Sequence, residues 1–196
     1  MDTASADILT RYPVPRRHRL TRRDYYRLAE AGILALDDRV ELLEGQLVDM
    51  PHIGPRHAIV TENLMDLLVT GFAGRARLRC QNPIMLDDGS EPQPDLVLVR
   101  RPWRGYPHDH PSPGDVFLLI EVSDSTLAFD RTVKLALYAR AGIAEVWIVD
   151  LTTDAVLVHR TPSGDLYTSV VRLEAPDLLD VEGLPGVTIP VADVFA

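Results

Sequence analysis

With 196 residues, 46% of them hydrophobic and 25% charged, the chain is long enough to bury one sizeable core and has an ordinary globular balance. No apolar run approaches the roughly 20 residues a membrane helix needs, and the N-terminus MDTASADILTRYPVPRRHRL lacks the apolar core of a secretory signal. The lone Cys80 excludes an internal disulfide and a cysteine-based zinc site, and a cytoplasmic location is expected. The formal net charge of −9 has the wrong sign for gripping nucleic acid over the whole surface, and leaves open a local basic face.

Residues 1–19, polar and without periodicity, read as a mobile N-terminal arm, leaving residues 20–196 as a single domain. Thr21 with Asp24 marks a helix start, and the helix runs through TRRDYYRLAEAG to Gly32. RVELLEGQLVDM reads as a β-hairpin turning at Glu44-Gly45. HAIVTENLMDLLVTGF carries a helical stripe of Ile59, Leu64, Leu67 and Leu68, and RARLRCQNPIML supplies a strand or two. DLVLVR and DVFLLIEVS have the look of central strands buried on both faces. The segment RTVKLALYARAG then forms a helix stopped by Gly142, and EVWIVDL is another buried strand. AVLVHRTPSGDLYTSVVRL forms a hairpin turning at Pro162-Ser163-Gly164, followed by a Pro/Gly-rich tail. This order predicts an α/β fold with a mixed sheet flanked by helices.

The chemistry lies on the two central strands. Asp95 opens one and Glu121 closes the next, and the loop between them centres near His108. Antiparallel pairing about that centre places the two carboxylates opposite one another on one face of the sheet. Such a pair repels unless a cation lies between, and hard oxygen ligands suit Mg²⁺ or Mn²⁺. Lys134 shares a helical stripe with Leu137, Tyr138 and Ala141, so it points inward, where it needs an acidic partner or a phosphate. Glu41 is a third acidic candidate, on the opposite strand face from Val40 and Leu42. His57, at the start of its helix, and Tyr138 are candidate supports for these groups. Arginines cluster at Arg16, Arg17, Arg19, Arg22 and Arg23, at Arg75, Arg77 and Arg79, and at Arg100, Arg101 and Arg104. Such groups are usually solvated surface.

The ordered set RVELLEGQLV, QPDLVLV, LLIEVSDST and KLALYARAGIAEVWIVD resembles the Uma family of restriction-endonuclease-like proteins, within the PD-(D/E)XK nuclease superfamily. The likeness runs from about Thr21 to the C-terminus. It implies a restriction-endonuclease-like fold with Mg²⁺ held at an acidic cluster. Asp95 matches the acid of the Pro-Asp motif, Glu121 the acid on the following strand, and Glu41 the upstream glutamate. The superfamily places a lysine two residues after the second acid, where this chain has Ser123, and Lys134 on the next helix is its natural replacement. The implied activity is hydrolysis of DNA phosphodiester bonds, leaving 5′-phosphate and 3′-hydroxyl ends; the arginine groups, set in an acidic protein, suggest DNA contact limited to one face and helped by forming a homodimer. The alternatives are a non-catalytic nucleic-acid-binding or regulatory module on the same fold, and a hydrolase of another phosphodiester.

Overall fold

The computed structural model describes residues 18–35, 37–101 and 109–196. Arg16, Arg17, Arg104, the loop centre at His108 and most of the N-terminal arm fall outside these residues. Helix α1 (Arg22–Glu30) starts as expected, with the Asp24 N–H donating to Thr21 Oγ1 and the Thr21 N–H to the Asp24 carboxylate. Strands β1 (Val40–Leu43) and β2 (Gln46–Asp49) form the hairpin. Its two turn residues, Glu44 and Gly45, have φ of 49° and 75°, the left-handed pair that a two-residue hairpin turn requires.

Helix α2 (Pro55–Gly71) buries Val60, Thr61, Leu64 and Leu68. The predicted stripe is wrong at one position: Ile59 is 52% exposed. Five residues separate it from Leu64, a rotation of about 140°, so the two cannot share a face.

The central sheet has six strands in spatial order β3 (Arg77–Cys80), β4 (Leu96–Val99), β5 (Val116–Ser123), β6 (Glu145–Asp150), β7 (Ala155–Ser163) and β8 (Leu166–Leu173). The β5–β6 pair is parallel and every other neighbouring pair antiparallel, which makes the sheet mixed. The parallel pair needs a long crossover, supplied by α3 (Leu127–Phe129), a π-helical turn (Asp130–Lys134) and α4 (Leu135–Arg140). The expected helix from Arg131 to Gly142 therefore begins earlier and is interrupted. The turn of the β7–β8 hairpin also lies further on than expected, since Pro162 and Ser163 still pair with Tyr167 and Leu166. Pro162 lies beyond the end of β6, where its missing N–H removes no bond to that strand.

The C-terminal tail carries structure of its own: β9 (Leu178–Asp180) pairs with β10 (Thr188–Pro190), and α5 (Val191–Val194) follows. Its apolar residues, including Leu179, Ile189 and Val194, join α2 in covering one face of the sheet, packed on Leu96, Leu118, Ile120 and Trp147. The other face packs Val97, Leu119 and Ile148 against Tyr138 and Ala139 of α4. On β5, alternation gives Glu121 the place after Leu119 on that second face, a carboxylate where the pattern calls for an apolar residue.

His159 on β7 is 5% exposed, with the Tyr167 ring edge-on at 5.8 Å and no hydrogen-bond partner for either ring nitrogen among the described residues. Burial, with a contribution from Arg131, lowers its pKa to about 4. The unfolded imidazole takes its proton near about 6.5. The unfolded chain therefore binds the extra proton as pH falls from the unfolded value toward the folded one, and stability drops across that window. Replacing His159 with Leu should leave neutral-pH stability at least equal and remove about one proton from the acid-side slope. Urea unfolding at a series of pH values measures both; an unchanged slope would rule out His159 as the titrating group.

Candidate active site

The register of the central strands brings the two predicted carboxylates to the same end of the sheet. Leu96 pairs with Ile120, so the next step along the two strands sets Asp95 beside Glu121. Asp95 itself lies just before β4 rather than within it. Its Oδ2 accepts the Val122 N–H at 2.9 Å and lies 3.2 Å from His57 Nε2, while Gln81 Nε2 donates to Oδ1 at 3.4 Å. His57 thus supports Asp95, from the first turn of α2.

Lys134 points inward, as its helical stripe predicted, and is 1% exposed. Its ammonium donates to Glu41 Oε1 at 3.0 Å and to Glu121 Oε1 at 3.2 Å. Tyr138, one turn further along the helix, donates its hydroxyl to the same Glu121 oxygen at 2.5 Å. Glu41 is fully buried, because β1 is covered on both of its faces. Its Oε1 also accepts the Gln93 N–H at 2.7 Å, whereas Oε2 has no hydrogen-bond partner among the described residues.

The electrostatics follow from burial. Desolvation alone would lower the Lys134 pKa, but Glu121, Glu41 and Asp130 outweigh it and hold the ammonium charged. Burial pushes Glu121 upward; Lys134 opposes this, and Asp130, Asp95 and Glu41 add to it. Burial and the carboxylate of Glu121 raise Tyr138, keeping its hydroxyl a donor. His57 is raised by its hydrogen bond with Asp95, against the pull of desolvation. Acids outnumber cations here, and one more positive charge would be stabilised.

Glu41, Asp95, Glu121, Lys134 and His57 all line one cavity of about 320 Å³. Asp130 lines it too and is the site residue that sequence reasoning missed. It is buried at the start of the π turn, where Ser123 Oγ donates to its Oδ2 at 2.8 Å. The signal was available: Asp130 is four residues before Lys134, one turn back along the same inward stripe. The π turn itself had no such signal. Among the described residues, none of the arginines in the predicted clusters lines this cavity. Arg22 pairs with Glu91 and Asp109 outside it, and Arg75 donates to the Pro185 carbonyl at 2.8 Å and lies against Phe72. Arg39 and Arg56, which do line it, were in none of the predicted groups.

A mixed six-stranded sheet with helices on both faces is the architecture of the restriction-endonuclease-like fold. The chain belongs to the Uma2 family, described as "Putative restriction endonuclease", whose family model matches residues 22–192. Among solved structures it is similar to the "putative nuclease belonging to DUF820" from Anabaena variabilis ATCC 29413. That likeness has a TM-score of 0.69 at 15% identity and covers 90% of this chain and 97% of the other. No curated protein matches the chain. No helix among the described residues is long and apolar enough to cross a membrane.

The buried triad makes a thermodynamic prediction. Lys134→Met leaves Glu41 and Glu121 facing one another without their cation, and breaking a buried pair in this way costs about 3–5 kcal/mol. Adding Glu121→Gln to that variant removes one of the stranded charges and should recover a substantial part of the loss. Urea unfolding of the wild type, both single variants and the double variant, all in EDTA, gives the coupling energy. A loss below about 1 kcal/mol for Lys134→Met, the range of exposed ion pairs, would show that the lysine does not hold the cluster together.

Proposed function

We propose that the chain is a Mg²⁺- or Mn²⁺-dependent endodeoxyribonuclease that hydrolyses phosphodiester bonds of DNA. The observation that carries this reading is the buried Lys134 bridging Glu41 and Glu121 on the cavity that Asp95 also lines. Asp95 and Glu121 would hold the cation, with Glu41 the third candidate donor. They fit a hard divalent ion: every donor is a carboxylate oxygen, and Glu41 Oε2 is buried without a partner. No three His, Cys, Asp or Glu side chains among the described residues gather into a ready-made cage. A seat of few carboxylates, completed by water and substrate phosphate oxygens, is the kind Mg²⁺ commonly takes. When bound, such a cation polarises the phosphate and makes water a better nucleophile.

The protein's own groups do the positioning. An ammonium has three N–H donors, and two of those on Lys134 are committed to Glu41 and Glu121. The third serves the attacking water or a phosphate oxygen that gains charge in the transition state. Tyr138 fixes the orientation of Glu121, and His57 and the Val122 N–H fix Asp95. Water attacks phosphorus, the bond to the 3′ oxygen breaks, and the products carry 5′-phosphate and 3′-hydroxyl ends.

Purified protein should nick or linearise plasmid in Mg²⁺ or Mn²⁺ and be silent in EDTA. Single-stranded DNA and RNA serve as comparison substrates, and Glu121→Gln should lose the activity. Either metal should also raise the wild-type melting temperature, because it binds the folded state, and Asp95→Asn and Glu121→Gln should lose most of that rise. Cleavage in EDTA equal to that in Mg²⁺, or an equal metal-induced rise in all three proteins, would remove these carboxylates as ligands.

A further inference from the structure

Helix α2 opens on the same cavity, and its first turn is unfinished. Its N-cap is Gly54, no side chain makes a cap hydrogen bond, Pro55 follows, and the first turn holds no acidic residue. The first bond inside the helix runs from the Ala58 N–H to the Gly54 carbonyl at 3.1 Å. Proline has no N–H, so the uncapped donors at this end are the backbone N–H groups of Arg56 and His57. Gly54 and these first-turn residues all line the cavity.

The missing cap is not forced by backbone or space. Gly54 has φ −78° and ψ 160°, a conformation open to any residue. A Cβ added there would meet nothing within 4 Å. Ser, Asp or Asn would fit and would stabilise the helix. The 17-residue helix instead leaves bare N–H groups and the positive end of its dipole at a first turn that lines the cavity.

A second, independent observation marks the same cavity as a ligand site. Glu41 lines it, is fully buried, and leaves Oε2 without a partner. That oxygen calls for a cation, whereas the helix end calls for an anion. Asp95 and Asp124 also line the cavity and would repel a bare anion. A phosphate that arrives with a divalent cation meets both demands.

We propose that the N-terminus of α2 is the phosphate seat of the cavity, where the backbone N–H groups of Arg56 and His57 receive an oxyanion of the nucleic-acid backbone. The seat rests on the phosphodiesterase reading above. Main-chain donors carry it, because the Arg56 guanidinium is held by the Leu151 carbonyl and Asp154. Main-chain donors read phosphate without reading base sequence.

The test follows amide resonances of the ¹⁵N-labelled full chain during titration with inorganic phosphate in Mg²⁺, and in a second arm with dimethyl phosphate, a diester. Arg56 and His57 amides should move saturably with both probes. Gly54→Asp supplies the cap, should melt at or above the wild-type temperature, and should weaken both probes at least tenfold. Gly54→Ala changes the residue without supplying a cap and should bind as the wild type does. Unmoved amides in both arms, or undiminished binding by Gly54→Asp, would overturn the seat. A response to inorganic phosphate alone would overturn its assignment to a diester. Plasmid cleavage measured in parallel separates the two readings. Binding at these amides without cleavage removes the nuclease and keeps the seat, and cleavage with silent amides removes only the seat.

Discussion

A lysine with 1% of its surface exposed is the constraint around which this molecule is arranged. Removing an ammonium from water costs several kcal/mol, and the loss is offset only if carboxylates meet it at hydrogen-bonding distance. Those carboxylates must be buried in turn, and each is fixed by a further donor: the Gln93 N–H for Glu41 and the Tyr138 hydroxyl for Glu121. The demand propagates outward. The β1–β2 hairpin, separate from the main sheet, is tied down by a bridge from Leu42 to Glu91. The crossover helix winds through a π turn with both its first and its last residue buried. The hairpin buries Val40, Leu42 and Leu43 as well as Glu41, and the π turn buries Asp130 and Lys134, so each feature brings members of the polar cluster inside.

Much of this was readable in the amino acids. Continuous apolar runs identified β5 and β6, and the symmetry of Asp95 and Glu121 about the intervening loop matches the register by which Leu96 meets Ile120. The inward stripe of Lys134 and Tyr138 was plain from helical spacing. What stayed hidden depends on tertiary context. Strand alternation could say which side of β1 Glu41 takes, but not that both sides would be covered. The π turn leaves no periodic trace, and the closing role of the C-terminal segment is masked by its prolines and glycines. Asp130 could have been found by extending the stripe one turn back.

The departure from the superfamily pattern now has a physical outline. Ser123 stands where the strand would carry a lysine, and it is fully buried with its hydroxyl turned to Asp130. The positive charge comes instead from the helix that crosses back toward β6, and it reaches Glu121 from beside the strand. The same helix carries Tyr138, so the charge and the hydroxyl that orients its carboxylate partner lie one turn apart on one segment.

The order of these residues along the chain also bears on how the protein comes into being. Glu41 and Lys134 are 93 positions apart, and Glu41 and Gln93 are 52 apart. Closing such spans loses chain entropy before any contact rewards it. Strand β5 also lacks its parallel neighbour until the crossover helix and β6 have been made. A growing polypeptide therefore carries Glu41 long before Lys134, the lysine that pairs with it, emerges. The polar cluster can close only once the chain has grown past Tyr138.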